Sequence, residues 1–246
     1  MRIVLLNAGL IIGSLLAFGQ FGGNAVEVSP DHPAIVTSRA SPGRHLGNAV
    51  IINTGQPESM VTNETLHLES LREKFDTTAY LSPYSDIVAV MIFEHQMRMM
   101  NLITRAGWEA RVTADAPTQR ETAREFVDYL FFVDEAPLSA RIQGTSGFAE
   151  KFAAIGPRDS KGRSLRQFDL ERRLMRYPCS YMIYSEAFDN LPVPAKDAIY
   201  KRMWEILSRA EKEKKYTRLL PADRQAIVEI LRDTRKDLPA YFGKKP

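Results

Sequence analysis

The sequence predicts a mainly α protein: an irregular helical domain of about five to six helices, preceded by a loop-rich N-terminal segment with little strand. Three observations carry this. From Ser85 onward, every strongly periodic stretch repeats its apolar residues at helical spacing. Before that point Pro30, Pro33, Pro42 and Pro57 punctuate short β-prone pieces such as NAVIIN (48–53), and no long helical period survives. Composition, 44% hydrophobic and 26% charged over 246 residues, is that of a folded chain long enough for one large or two small domains.

The chain opens MRIVLLNAGLIIGSLLAFG. Arg2 precedes an apolar run from Ile3 to Phe18, and Gly23-Asn24-Ala25 offers a small-residue cleavage site before Val26. Residues 1–25 therefore read as a secretory signal peptide. The alternative, an uncleaved anchor, is disfavoured because the run is about 16 residues with Asn7 inside, short of the ~20 that span a bilayer. The expectation is export to the periplasm or cell envelope, with no transmembrane span after cleavage. Residues 26–84 are the loop-rich segment and 85–246 the helical domain.

The first helix is expected from about Asp86 to Val112, with Ser85 as its N-cap and Asp86 favourably placed in the first turn. A second, about 118–133, sets Phe126, Leu130 and Val133 on one face and stops before Pro137. The connection 138–165 contains GTSGF and GPRDSKGRS, and its length predicts a functional loop or a short internal helix, for which 149–155 (AEKFAAI) is the candidate. Helical pattern returns at FDLERRLMRY (168–177), breaks at Pro178 and continues through SYMIYSEAFDNL. Two further helices follow, about 195–211 and 221–235, the last with Pro221 near its first position, where the missing N–H is tolerated.

Net charge is +3, which gives no nucleic-acid footprint. Within 158–176 seven basic residues (Arg158, Lys161, Arg163, Arg166, Arg172, Arg173, Arg176) face three acids (Asp159, Asp169, Glu171). That excess suits either a solvated face or a contact with an acidic partner. Cys179 is the one cysteine, which excludes an internal disulfide, a CxxC zinc site and a CxxCH haem attachment. In YPCSY it is either a reactive thiol at a helix start or a small buried residue.

His95 stands out. On a helical wheel Val88, Met91, His95, Met99, Leu102 and Ala106 fall within an arc of about 80°, so an imidazole sits at the centre of the buried face. Glu94, Arg98, Asn101 and Arg105 lie opposite. A neutral buried imidazole needs an acceptor for its N–H or a metal for its lone pair. Two readings stay open: a core histidine with Met91 and Met99 as adaptable filler, or an axial ligand to haem iron. His32, His45 and His67 show no HxxxH or HExxH spacing, and no GxSxG or Walker loop occurs. Glu121, Glu125 and Asp128 share a helix face, without the paired Glu-x-x-His of a di-iron bundle.

Four strings, GRHLGNAVI (43–51), YLSPYSDIVAVMIFEHQMRMMNLITRA (80–106), DEAPLSARIQGTSGFAEKFAAIGPRDSKGRSLRQFDL (134–170) and RYPCSYMIYSEAFDNLP (176–192), carry a resemblance. They are similar to the C-terminal portion of a group of large exported bacterial proteins, largely uncharacterised, that bear a cytochrome-c-like CxxCH haem motif upstream. The likeness spans about residues 43–240. It implies that His45 and His95 match histidines of the family pattern, as haem ligands or haem-side residues. Because CxxCH is missing here, it implies non-covalent haem at most, or a separate haem-bearing protein as partner.

Three functions compete at this level. One is a haem-associated redox accessory protein, with His95 and His45 near the haem. Another is a non-catalytic envelope interaction module using the basic 158–176 segment. The third is a hydrolase-type enzyme with its site in the 138–165 loop, for which no catalytic constellation is visible in the sequence.

Overall fold

A computed structural model describes residues 49–51, 60–62, 68–73, 76–112, 116–138 and 141–244. The segment read as a signal peptide, most of the loop-rich segment and His45 lie outside the described residues. Among these residues the protein is mainly α, with six α-helices: α1 Ile87–Val112, α2 Ala116–Leu130, α3 Phe148–Ala154, α4 Glu186–Asp189, α5 Val193–Leu207 and α6 Pro221–Thr234. The strand content is one antiparallel pair, β1 Ala49–Ile51 with β2 Met60–Thr62, in which Val50 faces Val61.

The chain folds as two compact units. Unit one takes the described residues of Met1–Glu94, Ala136–Lys151 and Leu170–Arg173; unit two takes those of His95–Glu135, Phe152–Asp169 and Leu174–Pro246.

In unit one, Asp86 caps α1. Its Oδ1 accepts the N–H groups of Val88 (2.9 Å) and Ala89 (3.3 Å). Asp86 thus takes the place of Ser85, the expected cap, and keeps its second oxygen for another segment. That Oδ2 accepts the N–H groups of Thr145 and Ser146 (both 2.9 Å) and the Ser146 hydroxyl (2.7 Å). Gly144 lies so close that a Cβ there would stand 2.5 Å from Asp86 Oδ2. GTSGF is thus a loop wrapped on a buried carboxylate.

In unit two, α2 packs chiefly on α5, and α5 also meets α6. Phe126 and Leu130 from α2, Met203 and Ile206 from α5, and Ile227 and Leu231 from α6 are fully buried. Each such side chain contributes about 1.5–3 kcal/mol. α2 ends at Leu130, earlier than its apolar pattern suggests. Phe132 takes a left-handed backbone (φ 54°), and Val133 N–H closes on the Asp128 carbonyl at 3.0 Å. α5 stops at Leu207 by a similar device at Arg209 (φ 63°). The α5 terminus is then sealed by buried Arg224, which donates to the carbonyls of Ile206, Leu219 (2.8 Å) and Tyr216 (2.5 Å).

One expected helix does not form. Residues 168–175 fold back on themselves, with an antiparallel bridge between Phe168 and Met175 and bonds from Asp169 N–H to the Leu174 carbonyl and Leu170 N–H to the Arg173 carbonyl. Leu170 is left-handed at φ 56°. The carbonyls of Leu170 and Arg172 accept N–H groups from Ile142 and Leu138, so long-range pairing claims what a helix would have used. The stretch after Pro178 also stays short: a 3-10 turn, Tyr181–Tyr184, is followed by α4 after extended Ser185, whose hydroxyl accepts Phe188 N–H.

Candidate functional site

His95 and Ser180 meet in unit two. His95 comes from α1, and Ser180 caps the 3-10 turn that begins at Tyr181. Nε2 of His95 lies 2.6 Å from Ser180 Oγ. That oxygen also accepts the Met182 N–H at 3.1 Å, and its O–H and second lone pair let it pair with Nε2 in either imidazole tautomer. The Ser180 N–H donates to the Leu130 carbonyl, the end of α2.

Aromatic rings enclose the imidazole. Phe132 stacks at 4.5 Å and Tyr129 at 5.1 Å, both within 25° of parallel. Tyr181 is tilted at 6.1 Å. The left-handed turn after α2 is what brings Phe132 onto this ring. His95 is 3% exposed and Ser180 0%. Burial in this apolar surround pushes the imidazole down to about 3, so it is neutral at pH 7.

A serine hydroxyl on an imidazole is the contact used to activate nucleophiles. Here the hydroxyl already caps a turn, neither group is open to solvent, and an imidazole titrating near 3 is a weak base at neutral pH. The pair is a polar staple between α1 and the Ser180 turn. As a haem ligand His95 does not fit: its Nε2 is engaged with Ser180 Oγ at 2.6 Å and its ring faces are covered by Tyr129 and Phe132.

No family model matches the chain, and no curated protein or solved structure matches it either. The chemistry has to be read from the residues themselves.

The basic segment is largely engaged within unit two. Asp159, buried, accepts the N–H groups of Lys161 (3.0 Å) and Arg163 (2.7 Å) on one oxygen and Arg163 Nε (2.6 Å) on the other. Glu229 on α6 takes Lys161 Nζ at 2.8 Å and Arg163 at 2.6 Å. Hydrogen bonds from Lys161, Gln225 and Arg163 hold the Glu229 carboxyl down at about 2. Ser160 donates N–H and O–H to Asp233. GPRDSKGRS therefore cradles its own carboxylate. Arg158 donates to the carbonyls of Ala153 and Gly162. Arg166 lies over the rings of Phe152 and Tyr181 at 4.6 and 4.7 Å.

The remaining sequence candidates separate. Cys179 is fully buried, and burial pushes its thiol well above the ordinary range. Glu125 pairs with Arg105 at 2.6 Å, while Asp128 accepts Tyr216 OH (2.6 Å) and Lys215 Nζ (2.5 Å). The row of acids is thus divided among different partners.

Unit one carries a different kind of feature. An open groove of about 400 Å³ is lined by Arg72, Asp76, Thr77, Thr78, Leu81 and Pro83 among others. It is braced by Leu71 N–H on the Pro83 carbonyl (2.8 Å) and Tyr80 N–H on the Thr77 carbonyl (3.0 Å). Leu81 at its lip is 96% exposed, with Tyr80 and Tyr84 at 45% and 41%. Sequence reasoning gave no role to this YLSPY turn, to Ser180 or to Tyr181. The turn was legible as three large apolar side chains around a proline; Ser180 was not, standing 85 residues from His95.

Proposed function

We propose that this chain is an exported, non-catalytic interaction module of the cell envelope that serves a separate haem-bearing protein and does not itself ligate haem through His95. The observation that carries the interaction role is the groove lined by Arg72 and residues 76–83, with Leu81 exposed at its lip. Three large exposed side chains within five residues, beside polar Thr77, Thr78 and Arg72, form the mixed apolar and hydrogen-bonding surface that suits a protein partner. The haem-bearing partner rests on the resemblance to the CxxCH-containing group. The basic segment supports a docking role less well, since Lys161 and Arg163 are engaged with Asp159 and Glu229.

The test uses the mature chain immobilised and exposed to envelope extract of the native organism, with Soret absorbance of the eluate as the readout. The wild type is expected to retain a haem-absorbing protein and Leu81→Asp to lose most of it. Haem titrated into the isolated chain is expected to give no Soret shift that His95→Ala abolishes. A wild-type eluate without Soret absorbance ends the haem-partner reading. An eluate unchanged by Leu81→Asp moves the contact away from the groove.

A further inference from the structure

Beside the His95 staple, unit two holds two polar groups whose hydrogen-bonding capacity is unused among the described residues. The Tyr181 ring is 2% exposed and its hydroxyl, fully buried, has no hydrogen-bond partner among the described residues. A buried hydroxyl is ordinarily satisfied, so an orphaned one calls for an explanation. The Arg166 guanidinium, partly buried, lies over two ring faces, Phe152 at 4.6 Å and Tyr181 at 4.7 Å. Among the described residues no carboxylate or carbonyl takes its N–H groups.

The two groups sense one another. Burial drives the Tyr181 hydroxyl upward, and the nearby guanidinium counters that drive in part. The guanidinium is itself lowered by burial and partly restored by Tyr181. The Arg166 stem runs against Gly156, where a Cβ would lie 2.8 Å from Arg166 Cδ and φ is +94°. Phe152 stands edge-on to Tyr181 at 4.8 Å and closes the far side. A second cation, Arg98, lies over Tyr129 at 4.5 Å, so the neighbourhood is rich in positive charge.

The geometry points to a binding site for a small oxyanion, a carboxylate or an inorganic phosphate, held between the Arg166 guanidinium and the Tyr181 hydroxyl. Arg166 presents a planar fork of N–H donors, the shape that recognises either group in two-point fashion, and Tyr181 supplies an O–H donor alongside. Ring faces and the Gly156 backbone hold the guanidinium without a hydrogen bond, so its end can lift from Tyr181 and uncover the hydroxyl. An oxyanion entering there satisfies both groups at once. The site is independent of the groove in unit one and of any haem-bearing partner.

The experiment is calorimetric titration of the wild-type chain with sodium phosphate and, separately, sodium acetate, with chloride at matched ionic strength as control. At least one of the two anions is expected to saturate with a millimolar or tighter Kd, and the better one names the ligand class. Tyr181→Phe, which removes one oxygen, and Arg166→Gln are each expected to weaken that binding at least tenfold while circular dichroism stays unchanged. In anion-free buffer Tyr181→Phe is expected to hold or raise the Tm, because it deletes an unpaired polar atom. Saturation by neither anion above the chloride control overturns the site. So does a Tyr181→Phe variant that binds as the wild type does, or one whose anion-free Tm falls, since the hydroxyl would then be already partnered.

Discussion

His95 Nε2 and Ser180 Oγ stand 2.6 Å apart across 85 residues of chain, both enclosed, and this contact ties α1 to the turn that follows Pro178. Ser180→Ala removes the hydrogen-bond partner of His95 Nε2 and the acceptor for Met182 N–H together. Leaving buried polar groups unpaired costs about 1–3 kcal/mol each. We expect Ser180→Ala to lower stability by about 2–4 kcal/mol in urea unfolding, and a loss under 0.5 kcal/mol would refute the staple.

The same contact predicts an acid sensitivity. The imidazole titrates near 3 in the folded chain against an ordinary value of 6.5, so between those values the unfolded state binds more protons. Stability is therefore fully present above about pH 6.5 and falls as pH drops through the window to about 3. At roughly 1.4 kcal/mol per unit the whole window amounts to no more than about 5 kcal/mol. Urea midpoints measured from pH 7 to pH 4 should decline in the wild type and decline less steeply in His95→Gln. Parallel slopes would show that other groups carry the acid response.

Gly144 and Asp86 make a steric prediction. A methyl at residue 144 would press on both carboxylate oxygens of Asp86, at 2.5 and 2.6 Å. Overpacking of this kind costs about 1–3 kcal/mol. Gly144→Ala should destabilise the chain by that amount and speed amide exchange at both the start of α1 and residues 145–148. In Asp86→Ala, where the carboxylate is gone, the added methyl should cost much less. Additive effects in the double variant would break the link.

Arg224 is predicted to matter more than a surface arginine. It is buried, and it fills the open carbonyl end of α5 at Ile206 together with Tyr216 and Leu219. Arg224→Met keeps the bulk and strips all three donors, with an expected loss of about 3 kcal/mol or more. Arg224→Lys, a point charge without a fork, should recover only part of it. Thermal unfolding of the pair decides the matter.

Glu229 gives a final titration, of the same sign and in a more acid window. Lys161, Gln225 and Arg163 lower its carboxyl to about 2 from an ordinary 4.5. The stabilisation is present above about pH 4.5 and lost as pH falls toward 2. Glu229→Gln should leave the helices intact yet raise amide exchange in residues 158–163. Salt should have a similar though smaller effect, because the pair with Lys161 lies at the surface. Unchanged exchange would mean that Asp159 alone holds the loop.

The sequence by itself determined the mainly helical class, the place where α1 begins within a residue, and the start of α6 at Pro221. These follow from periodicity and capping, which are local physics. It also determined that His95 lies on the buried face of α1, because a helical wheel sorts sides without knowing what covers them. What covers them was decided only by tertiary structure. FDLERRLMRY has a helical pattern, yet its carbonyls are taken by Leu138 and Ile142, and the chain folds back. α2 stops early because a left-handed Phe132 reaches its place on His95. The charges of 158–176 looked free until α6 brought Glu229 against them. Each of these outcomes depends on a partner far away in the chain, and no local preference of about 1 kcal/mol per residue withstands a buried hydrogen-bonded contact that offers more.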